Sequence, residues 1–286
     1  FQLASVSKQF TAVTILQLYE KGKRSLQDSV HHILKEFPFD NVTVEHLLHH
    51  TAGMPIYWWY LETFWNDTCA PDNDDLLRLM NQKKANQFFT PGRKFDYSNT
   101  GYVLLASIVE RISGLKFDTY CQKNIFKPAG MNETYIYSAC EKKEYPKKLI
   151  GYQKRWRYYS IDENVNDGTT GDKNVYSTTY DLHLWDEVIQ NRELIADSLW
   201  EQAFVAGKTR WGWDTHYGYG FRINEDFDTE KIYHNGIWNG FKTGFVRYPE
   251  YETTIIFLSH TSYRYKSALQ KRIEEEALFA EPAEAI

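Results

Sequence analysis

The chain has 286 residues, of which 42% are hydrophobic and 25% charged, and it carries a net charge of −5. That length suits one large domain or two intimately packed ones, and the composition is that of a globular chain rather than a disordered one. The negative balance argues against nucleic acid as the main partner, and no run of about 18 apolar residues is present to form a transmembrane segment.

The first predicted element is "SKQFTAVTILQLYEKGK", where Phe10, Val13, Leu16 and Tyr19 recur every third residue and Ile15 and Leu18 widen the stripe. It reads as a helix buried on much of its surface and ending near Gly22, with Ser5 at or near its first turn. From about residue 26 to 135 the pattern stays helical. "TVEHLLHHTAG" opens with Thr43 and His46 in a capping-box arrangement and stops at Gly53. "SNTGYVLLASIVERISG" is a helix closed by Gly114, and "FDTYCQKNIFKPAGM" is another, closed at Pro128 and Gly130.

"YQKRWRYYSIDENVNDGTTGD" is polar and turn-rich, which predicts loops or a small hairpin, its basic aromatic run lying on a solvated strand or loop. "STTYDLHLWDEVIQ" returns to helix, with Ser177 or Thr178 as its cap. The period then changes. "YGYGFRI", "KIYHNG", "FKTGFVRYP" and "TTIIFLSH" read as three or four antiparallel strands, and "SYRYKSALQKRIEEEALF" as a closing helix. Helices first and strands last, without βαβ alternation, predict an α+β fold.

Cys69, Cys121 and Cys140 match no metal spacing, and an odd count excludes complete pairing, so they are read as isolated thiols. The chain starts at Phe1 without an initiator Met or a signal peptide, as a processed or trimmed form would. The three histidines of "HLLHH" lack an H-E-x-x-H arrangement and make a weak metal site. "VAGKTR" contains part of a P-loop, but Gln202 stands where its first glycine is required. "IYWWYLETFW" is an aromatic block that lines a cleft or simply packs a core.

Ser5 and Lys8 stand three apart, so a helical turn sets both on one face. A serine hydroxyl needs a neighbouring base to become a nucleophile, and a desolvated lysine is such a base. A free N–H at a helix start also favours an oxyanion. Taken alone, S-x-x-K describes many capped helices, and Ser7, with Phe10 three residues on, is an ordinary helix-face residue. Two further stretches accompany it. "PGRKFDYSNTGY" sets Tyr97-Ser98-Asn99 in a turn before a helix, and "YHNGIWNGFKTG" brings His234, Gly236 and Ile237 to the end of a strand.

These three elements in this order resemble the serine β-lactamase and penicillin-binding protein family, with its S-x-x-K, S-D-N and K-T-G elements. The Y-S-N form is similar to class C β-lactamases, D-Ala-D-Ala peptidases and related esterases. "VTVEHLLHHTAGMP", "IFKPAGMNET" and "NVYSTTYDLHLW" look like the family too, so the likeness covers nearly the whole chain. It departs from the pattern in two places. His234-Asn235-Gly236 stands where β-lactamases carry K-T-G, and the literal Lys242-Thr243-Gly244 is read as a decoy in the next strand. Only four residues precede Ser5, where the family has two strands, which leaves "TTIIFLSH" with a bare edge.

The resemblance implies a β-lactamase/transpeptidase-like fold: a sheet domain of residues 1–22 and 172–286, its N-terminal strands apparently missing, around a mostly helical domain of 23–171. It implies a serine hydrolase acylated on Ser5, with Lys8 and Tyr97 sharing the base role, either directly as phenolate or through the lysine. The N–H groups of Ser5 and Ile237 would form the oxyanion hole. Asn99 would hold a substrate amide or orient Lys8, His234 would orient Tyr97 or a substrate carboxylate, and Gly236 would let the substrate backbone approach. No cofactor or metal is required. The partner is a small-molecule or peptide substrate with an ester, amide or β-lactam carbonyl, and the location is periplasmic or otherwise extracytoplasmic. Because histidine is a weaker anion anchor than lysine, an esterase or D-amino-acid peptidase is favoured over a class C β-lactamase or D-Ala-D-Ala carboxypeptidase. The rival of another class is a non-catalytic homologue that binds peptidoglycan or another ligand in the cleft.

Overall fold

The computed structural model describes residues 1–22, 25–139, 145, 148–262 and 267–279. A 3-10 turn, Ala4–Ser7, leads into helix α1, Lys8–Glu20. The helical stretch that follows holds α2 (Val30–Ile33), α3 (Val44–Leu48), α4 (Tyr57–Phe64), α5 (Asn73–Gln82), α6 (Asn99–Ser113) and α7 (Phe117–Cys121). Short pairs come next, with β1 (Tyr135–Ile136) against β4 (Val175–Tyr176) and β2 (Tyr152–Lys154) against β3 (Tyr158–Ser160). Helices α8 (Thr179–Gln190) and α9 (Asp197–Ala203) precede strands β5 (Arg222–Asp226), β6 (Thr229–Trp238), β7 (Phe241–Tyr248) and β8 (Thr253–Ser259), and α10 (Ser267–Phe279) follows them.

The caps lie where the side chains can reach orphan N–H groups. Thr43 and His46 form a reciprocal box on α3, Thr178 accepts from the Asp181 N–H on α8, and Gly114 ends α6 in the left-handed region. Helix α1 is not merely striped: Gln9, Thr11, Thr14 and Gln17 are buried along with its apolar residues. Each polar chain finds a partner, as burial demands. Gln9 accepts from Trp185 Nε1 at 2.9 Å, and Thr11 Oγ1 donates to the Gly171 carbonyl at 2.7 Å. Phe10 meets Trp185 at 4.6 Å between ring centroids, in the centre of the core.

The four-stranded sheet runs β5-β6-β7-β8, antiparallel throughout. The strand containing His234 does not end at Gly236 as expected. It continues to Trp238, which pairs with Phe241 across Asn239-Gly240. Both turn residues have positive φ, +40° and +84°, which suits an Asn-Gly hairpin turn. Strand β5 is shorter than β6 and pairs only with Thr229–Tyr233, so residues 234–238 face no β5 partner. The Ser5 turn packs over β6 and β7 at this stretch. Strand β8 ends the described sheet, half-buried along its length and packed by α8 and α10.

The reading of all three cysteines as isolated thiols is corrected for one of them. Cys69 is disulfide-bonded, Cys121 is a buried free thiol, and Cys140 lies outside the described residues. An odd count forbids pairing all three cysteines but leaves any two free to pair.

Candidate active site

In the tight Ala4–Ser7 turn, residues three apart eclipse one another, which sets Lys8 beneath Ser5. Lys8 Nζ lies 3.2 Å from Ser5 Oγ. Its other partners are Asn99 Oδ1 at 2.8 Å and the Asp172 backbone carbonyl at 2.9 Å. Ala4 holds φ at +49°, an uncommon value for a residue with a Cβ and a local strain immediately before the serine. Lys8 is fully buried, and the loss of water lowers its pKa to about 7; the Asp172 carboxylate pulls it up and the Arg222 guanidinium pushes it down.

Tyr97 reaches the same point from the turn before α6. Lys8 Nζ lies 5.1 Å from the centre of its ring. The phenol oxygen is buried, and burial raises its pKa, with the neighbouring Ser5 hydroxyl pulling part of that back. The turn is clamped from several sides. Ser98 N–H donates to His50 Nδ1 at 3.0 Å, the His50 ring lies 4.3 Å from the Tyr97 ring, and Thr100 Oγ1 donates to the Pro55 carbonyl at 2.6 Å.

The third wall is β6. A Cβ on Gly236 would overlap the Leu3 carbonyl oxygen and Thr243 Oγ1, so only glycine lets the strand touch the serine turn. Ile237 points its side chain outward, 71% exposed. Lys242 is directly opposite Ile237 and so shares that outward face, while Thr243 donates to the Leu3 carbonyl at 2.7 Å. His234 lies on the inner side and is buried. Its Nδ1 lies 2.8 Å from the Asn235 carbonyl and its Nε2 lies 3.0 Å from the Tyr217 hydroxyl. Desolvation first, then Lys8 and Arg222, hold its pKa well below the usual histidine value. The ring is therefore neutral with both nitrogens engaged, and the expected contact from His234 to a substrate carboxylate has no donor left to make it.

Several participants carry no local sequence signal. Arg222, at the start of β5, stacks its guanidinium over Tyr97 at 5.1 Å and Tyr217 at 5.8 Å. Asp172 offers Lys8 a backbone carbonyl while its carboxylate accepts from the Tyr57 hydroxyl at 3.0 Å. Lys173, also buried, donates to Tyr57 at 2.8 Å and to Thr169 Oγ1 at 2.8 Å. Asp167 receives Trp238 Nε1 at 2.6 Å and Asn239 Nδ2 at 2.9 Å, which fixes the hairpin turn beyond Ile237.

The aromatic block divides between the two roles. Tyr60 and Leu61 are core, whereas Ile56, Trp58 and the buried Tyr57 join Met54, Phe88, Tyr97 and Asn99 around a cavity of about 170 Å³. Trp58 stacks on Trp238 at 6.1 Å, linking α4 to β6. The residues lining a larger hollow, of about 460 Å³ between Asp186 and Arg247, include none of Ser5, Lys8, Tyr97 and Asn99. The HLLHH rings diverge: His46 bonds Thr43, His49 Nδ1 lies 2.9 Å from the Tyr217 carbonyl, and His50 serves the Tyr97 turn. The geometry joins a hydroxyl, an amine poised near neutrality and a protonated phenol, the phenol at the wall of a cavity that is apolar on one side and polar on the other, a set suited to acyl transfer.

Residues 1–278 match the protein-family model described as Beta-lactamase. The chain is 33% identical to penicillin-binding protein 4* of Bacillus subtilis (strain 168), over 99% of its own length and 65% of that protein. It is 25% identical to a D-aminopeptidase of Gluconobacter oxydans (strain 621H), over 85% of its length and 46% of that protein. The chain thus spans about two thirds or less of the length of these relatives. Among solved structures, a penicillin-binding protein from Bacillus halodurans superposes with a TM-score of 0.79 and 28% identity, covering 98% of this chain and 85% of that one. An octameric penicillin-binding protein homologue from Pyrococcus abyssi also gives 0.79, at 26% identity, covering 97% and 67%.

Proposed function

The chain belongs to the beta-lactamase family, and from that premise we propose that it is a serine hydrolase working through an acyl-enzyme on Ser5. The observation that carries the reading is the 3.2 Å contact between Ser5 Oγ and a buried Lys8 whose pKa has fallen to about 7. In its neutral form Lys8 takes the Ser5 proton as Oγ bonds to the substrate carbonyl carbon. The oxyanion that develops is held by the N–H groups of Ser5 and Ile237. Tyr97 stays a phenol, because burial raises its pKa, and gives its proton to the leaving group; Lys8 returns the proton to it. Water then attacks the acyl carbon and gives a proton to Lys8, which passes it to Ser5 Oγ as the acyl C–O bond breaks and the acid product is released. Asn99 fixes Lys8, and Gly236 keeps β6 close. No step needs a metal or an organic cofactor.

The favoured substrates are esters or peptides and amides of D-amino acids, their apolar side groups seated in the cavity between Trp58, Phe88 and Tyr97. A carboxypeptidase reading is favoured by one feature: Arg222 offers a positive charge beside Tyr97, where His234 offers none. The disulfide at Cys69 supports an extracytoplasmic location, since such bonds persist in oxidising compartments. No helix among the described residues is long and apolar enough to cross a membrane.

The test is turnover of p-nitrophenyl esters, D-amino-acid amides and a fluorescent penicillin by the native chain and by Ser5→Ala. The native chain should turn over esters or amides, and Ser5→Ala should lose a factor on the order of 10⁴ or more. No labelling or turnover by any probe would return the protein to a purely ligand-binding role.

A further inference from the structure

The hairpin formed by β2 and β3 takes no part in the chemistry. Its base is anchored firmly. Tyr152 N–H donates to the His260 carbonyl at 2.8 Å, Ser262 N–H donates to the Tyr152 carbonyl at 2.7 Å, and a Cβ on Gly151 would overlap the Asn239 carbonyl. The hairpin therefore springs from the end of β8, beside the Asn239-Gly240 turn that closes the oxyanion strand. Its tip is the opposite of a folded core. Trp156 is 78% exposed and Tyr158 55%.

The charge is equally one-sided. "LIGYQKRWRYYSI", residues 149–161, carries Lys154, Arg155 and Arg157 and no acid, in a chain whose net charge is −5. Arg157 lies 4.5 Å from the Trp156 ring and 5.0 Å from the Tyr159 ring, which keeps cation and indole together at the tip. Of the acids that follow, Glu163 is already occupied by Lys148 and by Tyr137 at 3.0 Å, and Asp162 stands beyond the strand. An indole, a phenol and guanidinium groups exposed together are the residues that settle at a membrane interface, where anionic headgroups meet the cations and the rings enter the headgroup boundary.

We propose that the tip of the β2–β3 hairpin, led by Trp156, Arg155 and Arg157, docks the protein onto an anionic phospholipid surface. A soluble polyanion would satisfy the cations but leave the apolar half of the patch in water. The paired strands, three residues each, offer little edge for adding a peptide strand. The inference rests on the hairpin alone and not on the hydrolase reading.

The experiment is sedimentation with phosphatidylcholine vesicles, with and without phosphatidylglycerol, at low and high salt. It uses the full chain and the variants Trp156→Ala and Arg155→Ala/Arg157→Ala, with circular dichroism and melting curves to confirm that each is folded. The native chain should bind only the anionic vesicles and release at high salt. The double variant should lose about thirtyfold in partitioning, and Trp156→Ala should also bind more weakly. Absence of binding to anionic vesicles by the native chain, or equal binding by the variants, overturns the proposal. So does tight capture of soluble polyglycerol phosphate that survives Trp156→Ala, which would assign the tip to a charged polymer.

Discussion

A lysine amine stripped of water gives up its proton near neutrality, and Lys8 is in that position, with Asp172 and Arg222 pulling in opposite directions. Acylation of Ser5 should therefore rise about tenfold per pH unit below about 7 and level off above it, as read from single-turnover ester cleavage. A flat rate across the neutral range would remove Lys8 from the base role. Stability follows the same group. The folded pKa is lowered, so the unfolded chain holds more protons between about 7 and the ordinary 10.5, and the contribution of Lys8 to stability grows as pH rises through that window. Arg222→Ala should raise KM for carboxylate-bearing substrates by about tenfold and leave the KM of neutral esters little changed, while the acylation profile of both moves to higher pH as Lys8 loses the neighbouring charge. Ser5 and Lys8 were legible because their pairing is local, and Tyr97 and Asn99 because they share one turn. Arg222 and the Asp172 carbonyl were not, because tertiary folding alone brings them to Lys8 and no spacing records it.

The strand β6 and its turn show how elements hold the site. Gly236→Ala would push the strand off the Leu3 carbonyl, so turnover should fall by two orders of magnitude or more, about what loss of one oxyanion donor costs. The check is kcat beside a melting curve. Asp167 is a buried acceptor for Trp238 and Asn239. Asp167→Ala would strand both donors and should cost about 3 kcal/mol in urea unfolding. Helices α1, α3, α6 and α8 were readable from caps and periodicity, down to the Thr43–His46 box, whereas α4, α5 and α9 were not assigned one by one. The extent of β6 was less so, because glycine and asparagine at 235–236 read as a turn, while the turn itself is Asn239-Gly240. "YGYGFRI" likewise begins as loop, and only from Arg222 does it pair.

Across the whole molecule two buried histidines, His50 after α3 and His234 on β6, are held neutral. Burial holds His50 and His234 well below the ordinary value of 6.5. The unfolded chain therefore takes up protons first as pH falls, and stability should drop from neutrality to about pH 5, measured as a falling midpoint in urea. An unchanged midpoint would mean that the rings accept protons in the folded state. Helices first and strands last made the α+β class legible, whereas the bonded state of Cys69 was hidden, since a count of three gives no pairing.

Strand β5 stops opposite Tyr233, so the stretch from His234 to Trp238 is a zipper with one row of teeth unmatched, save for the Asn235 carbonyl that His234 Nδ1 meets. A peptide fastened there would be gripped by main-chain groups that every peptide possesses. The handedness of each guest residue would then decide whether its side group swings towards the hollow at Trp58 or out into water, so that telling mirror images apart would fall to the direction of the backbone more than to any dedicated pocket.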